Sequence, residues 1–170
     1  MPPLEWSDAL ALDLPAMDDT HREFVDLLTQ VDRADDAQLL ARWQALLEHT
    51  DAHFGREDDW MRSTGFSSSN CHSMQHKVVL QVMREGLDRG RGGDLGLVRQ
   101  MAHELGLWFP QHAQSMDAAL ALHLRGIGFD AESGLVHMPQ CLPRTAIHGC
   151  GGASCGDTQD ADSALEDAPA

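Results

Sequence analysis

Apolar residues recur at steps of three and four through the first 130 residues, and strand-like alternation is nowhere sustained. After a break at Pro15, a first helix is predicted from about Met17 to Ala34, with His21, Phe24, Leu28 and Val31 on one stripe. A second runs from about Asp36 to Arg62, stops before Gly65, and aligns Leu39, Trp43, Leu46, Thr50, His53 and Glu57. Ser67, Ser68, Ser69 and Asn70 offer N-caps for a third helix reaching about Arg89, whose stripe reads His72, His76, Val79, Met83 and Leu87. After a GRGGD loop, Asp94 caps a fourth helix to about His123, with Met101, Leu105, Trp108, His112, Met116 and Ala119 aligned. Pro110 falls inside that helix, where its missing N–H predicts a kink or loosened backbone bonding. Four helices joined by short loops predict an all-α fold, an antiparallel up-down-up-down four-helix bundle.

Composition divides the chain near residue 130. Residues 131–170 hold no aromatic residue, five glycines, three prolines and six acids against one arginine. A segment so poor in apolar surface predicts a disordered acidic C-terminal tail. The expected domains are therefore a bundle over residues 1–130, opened by an N-terminal arm, and a tail over 131–170. At 170 residues the chain is long enough for one domain with a proper core. Acidic residues outnumber basic ones 27 to 12, for a net charge of −15, which argues against nucleic acid and anionic membrane as partners. No apolar run approaches the ~20 residues that span a bilayer. The opening MPPLEWSDALALDLP lacks a basic start and is interrupted by Asp8 and Asp13, so no signal peptide is read and a cytoplasmic location is expected.

The core-facing stripes carry too many polar residues. One histidine on such a stripe is ordinary, and for any of them alone simple burial is favoured by roughly three to one. Five histidines and a glutamate on converging stripes are different. Each unsatisfied buried polar group costs on the order of 1–3 kcal/mol, and an unpaired carboxylate more. A domain with a net stability of ~5–15 kcal/mol cannot carry that load uncompensated. Bound metal is the simplest compensation, since it accepts lone pairs from neutral imidazoles and offsets carboxylate charge. His53 and Glu57 stand four apart on one helix face, and His72 and His76 repeat the spacing on the next, a common chelating arrangement. His112 and Asp117 stand five apart, which on an ideal helix turns Asp117 roughly 140° away. That last pair is weak support on spacing alone.

These segments resemble the hemerythrins, and more closely the single-domain bacteriohemerythrins, over about residues 4–130. The resemblance is carried by Trp6 in the arm, MDDTH ending in His21, HTDAHFGREDDWM, HSMQHKVVL and LWFPQHAQSMD. All seven family ligand positions hold the expected residue types, at His21, His53, Glu57, His72, His76, His112 and Asp117. Thr20 stands where the family usually has glutamine, and the cysteine-bearing tail is an addition. The resemblance implies two Fe ions, bridged by carboxylates and hydroxide. His72, His76 and His112 would hold one, His21 and His53 the other, with Glu57 and Asp117 shared. The three-histidine iron then has six ligands and its neighbour five, leaving one position for a small diatomic ligand.

Reversible O2 binding for storage, transport or delivery follows as the implied function, with no enzymatic role. NO is a second candidate ligand, and the tail a candidate contact to a recipient or signalling protein. The alternatives are an O2, NO or redox sensor, with the tail as its output, and a di-iron peroxidase or iron-handling protein. Oxygen-activating di-iron bundles favour carboxylate-rich sites with a Glu-x-x-His motif, which is absent here, as is tyrosine. Phe24, Phe54 and Trp108 are candidate dry walls, with ordinary core packing at least as expected for each. His49 and His103 are expected to be partly exposed, His123 to favour the helix end as a cation, and Cys71 to be a passive small residue. His148, Cys141, Cys150 and Cys155 match no zinc spacing, and incidental or regulatory thiols in an unstructured tail are expected.

Overall fold

The computed structural model describes residues 4–66 and 71–147. Its helices are α1 (Pro15–Arg33), α2 (Asp36–Ser63), α3 (Cys71–Arg91), α4 (Leu95–His112) and α5 (Ala118–Gly126), with a π-helical turn (Ala113–Asp117) joining the last two. The fold is the all-α four-helix bundle that the periodicity predicts. Its four long rods are α1, α2, α3 and the continuous α4–π–α5 unit, and α1 packs on both α2 and α4 to close it. Local chemistry sets the ends. Pro15 opens α1, where a missing N–H costs nothing. The Asp35 carboxylate accepts the Gln38 N–H at 2.9 Å, and Asp94 accepts that of Leu97 at 3.2 Å, capping α2 and α4. The Ser67–Asn70 caps predicted for α3 lie outside the described residues.

Two apolar clusters fill the interior. Phe24, Leu28, Leu39, Trp43, Leu46, Met83, Val98 and Phe109 belong to one; Met17, Met61, Phe66, Leu120, Leu124 and Ile127 belong to the other. Along α1, His21 falls between Met17 and Phe24; along α2, Glu57 falls between Phe54 and Met61. Asp117 likewise separates Ala113 from Leu120. The polar residues thus form a layer between two cores, which hold it in place from both sides.

The fourth rod departs from its predicted face. Val98, Ala102, Leu105, Phe109 and His112 are buried, while Met101, Trp108, Met116 and Ala119 are only half-buried. The predicted stripe follows one edge of the true face up to His112. There the π turn inserts an extra residue and the buried track shifts to Asp117, Leu120 and Leu124. The helix runs on through Pro110, and the widening begins three residues later, where the Ala118 N–H reaches back five residues to the Ala113 carbonyl.

Residues just beyond 130 also take part in the packing. Residues 131–147 lie against the second cluster through Val136, Cys141, Leu142 and Ile147. A bridge pairs Phe129 with Val136, and the Ile147 N–H donates to the Gly65 carbonyl at 2.9 Å. Gly65 has φ +75°, and a Cβ there would meet Pro143 at 2.9 Å, so this strap and the end of α2 fit each other closely. A few well-spaced apolar residues are enough to dock it, which overall composition hides. His148, Cys150, Cys155 and the rest of the tail lie outside the described residues. Cys71 and Cys141 each take part in a disulfide, which corrects the expectation of a passive Cys71 and of a free thiol at Cys141. At the other end, Trp6 of the arm packs on the first cluster under the Arg22 guanidinium, 4.6 Å from its ring centroid. No described helix is long and apolar enough to cross a membrane.

Candidate metal centre

All seven predicted site residues converge, and all are buried. Each rod of the bundle contributes. His21 comes from α1, His53 and Glu57 from successive turns of α2, and His72 and His76 from successive turns of α3. His112 ends α4 and Asp117 ends the π turn. The π turn answers the awkward spacing: with i→i+5 bonding, a residue five positions on returns to the face of its predecessor.

The two carboxylates face two groups of imidazoles. Glu57 Oε1 lies 2.9 Å from His53 Nε2, and its Oε2 lies 3.3 Å from His76 and 3.4 Å from His72. Asp117 Oδ2 lies 3.2 Å from His21 Nε2, and its Oδ1 lies 2.9 Å from His72 and 3.1 Å from His112. Each carboxylate therefore turns one oxygen to His21 or His53 and the other to the trio His72, His76 and His112. Nε2 of His21, His72, His76 and His112, Glu57 Oε2 and both Asp117 oxygens are buried yet have no hydrogen-bond partner among the described residues. Near one another but badly aligned for hydrogen bonds, they are lone pairs aimed at common points. Two sets of donor atoms lie within 4.8 Å of one another: Glu57, His72, His76, His112 and Asp117, and His21, His53 and Glu57. Imidazole nitrogen and carboxylate oxygen without thiolate suit a first-row metal such as iron.

The charges agree. Burial opposes ionisation of both Glu57 and Asp117, and for Glu57 the Asp117 charge adds to it, yet the facing imidazoles hold both carboxyls well below the usual range. Burial disfavours a charged His72, but Asp117 and Glu57 outweigh it and raise its pKa to about 9. Against the same burial, His21 is raised by Asp117 and Glu57, and His76 by Asp58 and Glu57. With protons as the only cations, this layer holds protons tightly. The same negative field would hold metal.

Aromatic rings wall the layer. Phe54 stacks on His76 with centroids 3.9 Å apart, and Trp108 stacks on His112 at 4.4 Å. Phe24 stacks on Phe109, whose ring meets His21 edge-on at 5.1 Å. Phe109 is absent from the predicted stripe, although it stands four residues after Leu105 and three before His112. Two hydrogen-bonding neighbours are also missing from the predicted site: Asp58 beside His76, and Gln75 beside His112. Their only signal in the sequence is adjacency to Glu57 and His76. His49 is half-buried, with Nε2 donating to the Thr20 carbonyl at 3.2 Å, and His103 is exposed. His123 departs from expectation: it is buried, Nε2 donates toward the Thr64 carbonyl and hydroxyl at 3.1 Å, and burial lowers its pKa, so it is no helix-end cation.

The family model described as the hemerythrin HHE cation binding domain matches residues 12–122. The chain belongs to the hemerythrin family. Among its relatives, the bacteriohemerythrin of Ralstonia nicotianae is 37% identical over 131 residues, covering 77% of this chain and 96% of that protein. The bacteriohemerythrin of Stenotrophomonas maltophilia is 23% identical over 142 residues, 77% of this chain and 90% of that protein. That of Pseudomonas aeruginosa is 24% identical over 120 residues, 68% and 77% respectively. No solved structure matches the chain significantly. Hemerythrin membership together with this His/Glu/Asp cluster supports non-haem iron binding.

Proposed function

We propose that His21, His53, Glu57, His72, His76, His112 and Asp117 hold two iron ions, and that this centre binds O2 reversibly for storage, transport or delivery. The observation carrying this reading is the split of each carboxylate, one oxygen toward each imidazole group, as a shared bridge requires. His72, His76 and His112 make one group of three, against two in His21 and His53. The two-histidine side is thus one protein ligand short, the natural place for a diatomic molecule. A ferrous pair would supply that binding position and the electrons that O2 takes up.

The remaining work falls to the chain. Phe24 and Phe109 close the His21 side with apolar surface, which admits O2 and slows the entry of water and protons. Neutral imidazoles outnumber carboxylates five to two, so the ligand set stabilises high-valent iron poorly, and carriage is favoured over oxidation. A sensing role draws support from the strap over residues 131–147. It is tied at Ile147 to Gly65, shortly before the helix that carries His72 and His76. Truncation before residue 131 distinguishes the two: a carrier keeps its O2 affinity and physiological effect, and a sensor loses its signal.

The test is the optical spectrum of the anaerobic ferrous protein before air, after air, and after deoxygenation. A charge-transfer band that appears with O2 and disappears on its removal is expected. Steady consumption of peroxide or NO, or irreversible oxidation on first contact with air, would overturn carriage.

A further inference from the structure

The two halves of the layer differ in what stands behind the imidazoles. His76 Nδ1 donates to Asp58 Oδ1 at 3.0 Å. His112 Nδ1 faces Gln75 Oε1 at 3.2 Å, and that oxygen also receives the Trp108 Nε1–H at 3.3 Å. An indole nitrogen can only donate, so the Gln75 atom it meets must be an acceptor, and His112 Nδ1 must carry a proton. Both hydrogen bonds fix the tautomer that leaves Nε2 free to point inward. Stacking by Phe54 and Trp108 holds the two ring planes. His21 and His53 have no such support, since Nδ1 of each is buried without a hydrogen-bond partner among the described residues; His72 Nδ1 is likewise unpartnered, so two of the three imidazoles are backed on one side and neither on the other.

From this asymmetry we propose that Asp58 and Gln75 are positioning residues that make the three-histidine position the tighter of the two metal sites, so that it fills first and empties last. The inference rests on the two-metal reading above. A carboxylate behind an imidazole makes its inner nitrogen a better donor, and a ring held in one tautomer and one plane loses less freedom on binding. Asp58 does both for His76, while neutral Gln75 chiefly orients His112. The Asp58 side chain keeps about a quarter of its surface exposed, so replacing it disturbs the core little.

The test is anaerobic titration of the metal-free full-length chain with Co(II), followed by its visible absorption, for the wild type, Asp58→Asn, Asp58→Ala and Gln75→Leu. Two separable binding steps are expected in the wild type. Asp58→Asn, which keeps an acceptor without the charge, should weaken the first step about 10-fold, and Asp58→Ala about 100-fold. The second step and the melting temperature of the metal-free protein should hardly change. An unaltered first step in Asp58→Ala, or equal weakening of both steps, overturns the inference and leaves the two-metal reading standing. A wild type that takes up fewer than two Co(II) overturns both.

Discussion

Glu57→Ala is expected to empty both metal positions at once. Its Oε1 faces His53 at 2.9 Å and its Oε2 faces His76 and His72 at 3.3 and 3.4 Å, so its loss takes a carboxylate oxygen from both groups and leaves Asp117 alone between them. Loss of a group behind a ligand already costs roughly 10- to 100-fold in metal affinity, so loss of a shared ligand should cost each site at least about 100-fold. His53→Ala, by contrast, should mainly weaken the two-histidine site. Metal analysis after gel filtration checks this: Glu57→Ala should retain well under one iron per chain. Two retained irons would exclude the bridging role. Glu57→Gln serves as the companion variant, because it keeps the shape of the side chain and removes only its charge.

Metal uptake is expected to depend steeply on pH, well above the range where histidine usually titrates. His72 is held near 9 by Asp117 and Glu57 against the opposing effect of burial, and His21 and His76 are raised as well. Metal must displace these protons. Each displaced proton contributes a factor of about ten per pH unit, so His72 alone should weaken apparent affinity about 100-fold between pH 9 and pH 7. Competition with a chelator of known pH dependence measures this, and a flat profile over that interval would contradict it.

The stability of the metal-free chain follows with the opposite slope. A histidine whose folded pKa lies above its unfolded 6.5 stabilises fully below about 6.5 and loses that contribution as pH rises through about 9. The depressed Glu57 and Asp117 stabilise above the ordinary carboxylate range and lose their contribution as pH falls through their lower folded values. Metal-free protein should therefore melt highest between about pH 4 and 6.5. Iron-loaded protein should keep its stability on the alkaline side, where metal has replaced the protons.

Much of the bundle was legible because burial has a period. His21, Phe24, Leu28 and Val31 share one face of α1, and Leu39 through Glu57 share one face of α2, as their spacing predicts. The chelating pairs His53–Glu57 and His72–His76 were equally readable, since four residues make nearly one helical turn. His112 and Asp117 were not, because their alignment depends on a wider turn that no local pattern announces. That same turn explains the error over Met116 and Ala119. Phe109 fits the spacing of Leu105 and His112 and was readable, whereas Asp58 and Gln75 stayed hidden because the histidines they touch lie on another helix. The docking of residues 131–147 was masked by composition, which averages away Val136, Leu142 and Ile147.

In the proposed centre, Glu57 and Asp117 join two irons rather than serving one each. Magnetic susceptibility of the oxidised protein, together with iron counted per chain, tests it most directly, because spins couple strongly only through shared ligands. Two irons per chain with antiferromagnetic coupling are expected. A single iron, or two irons that behave as independent paramagnets, would contradict it.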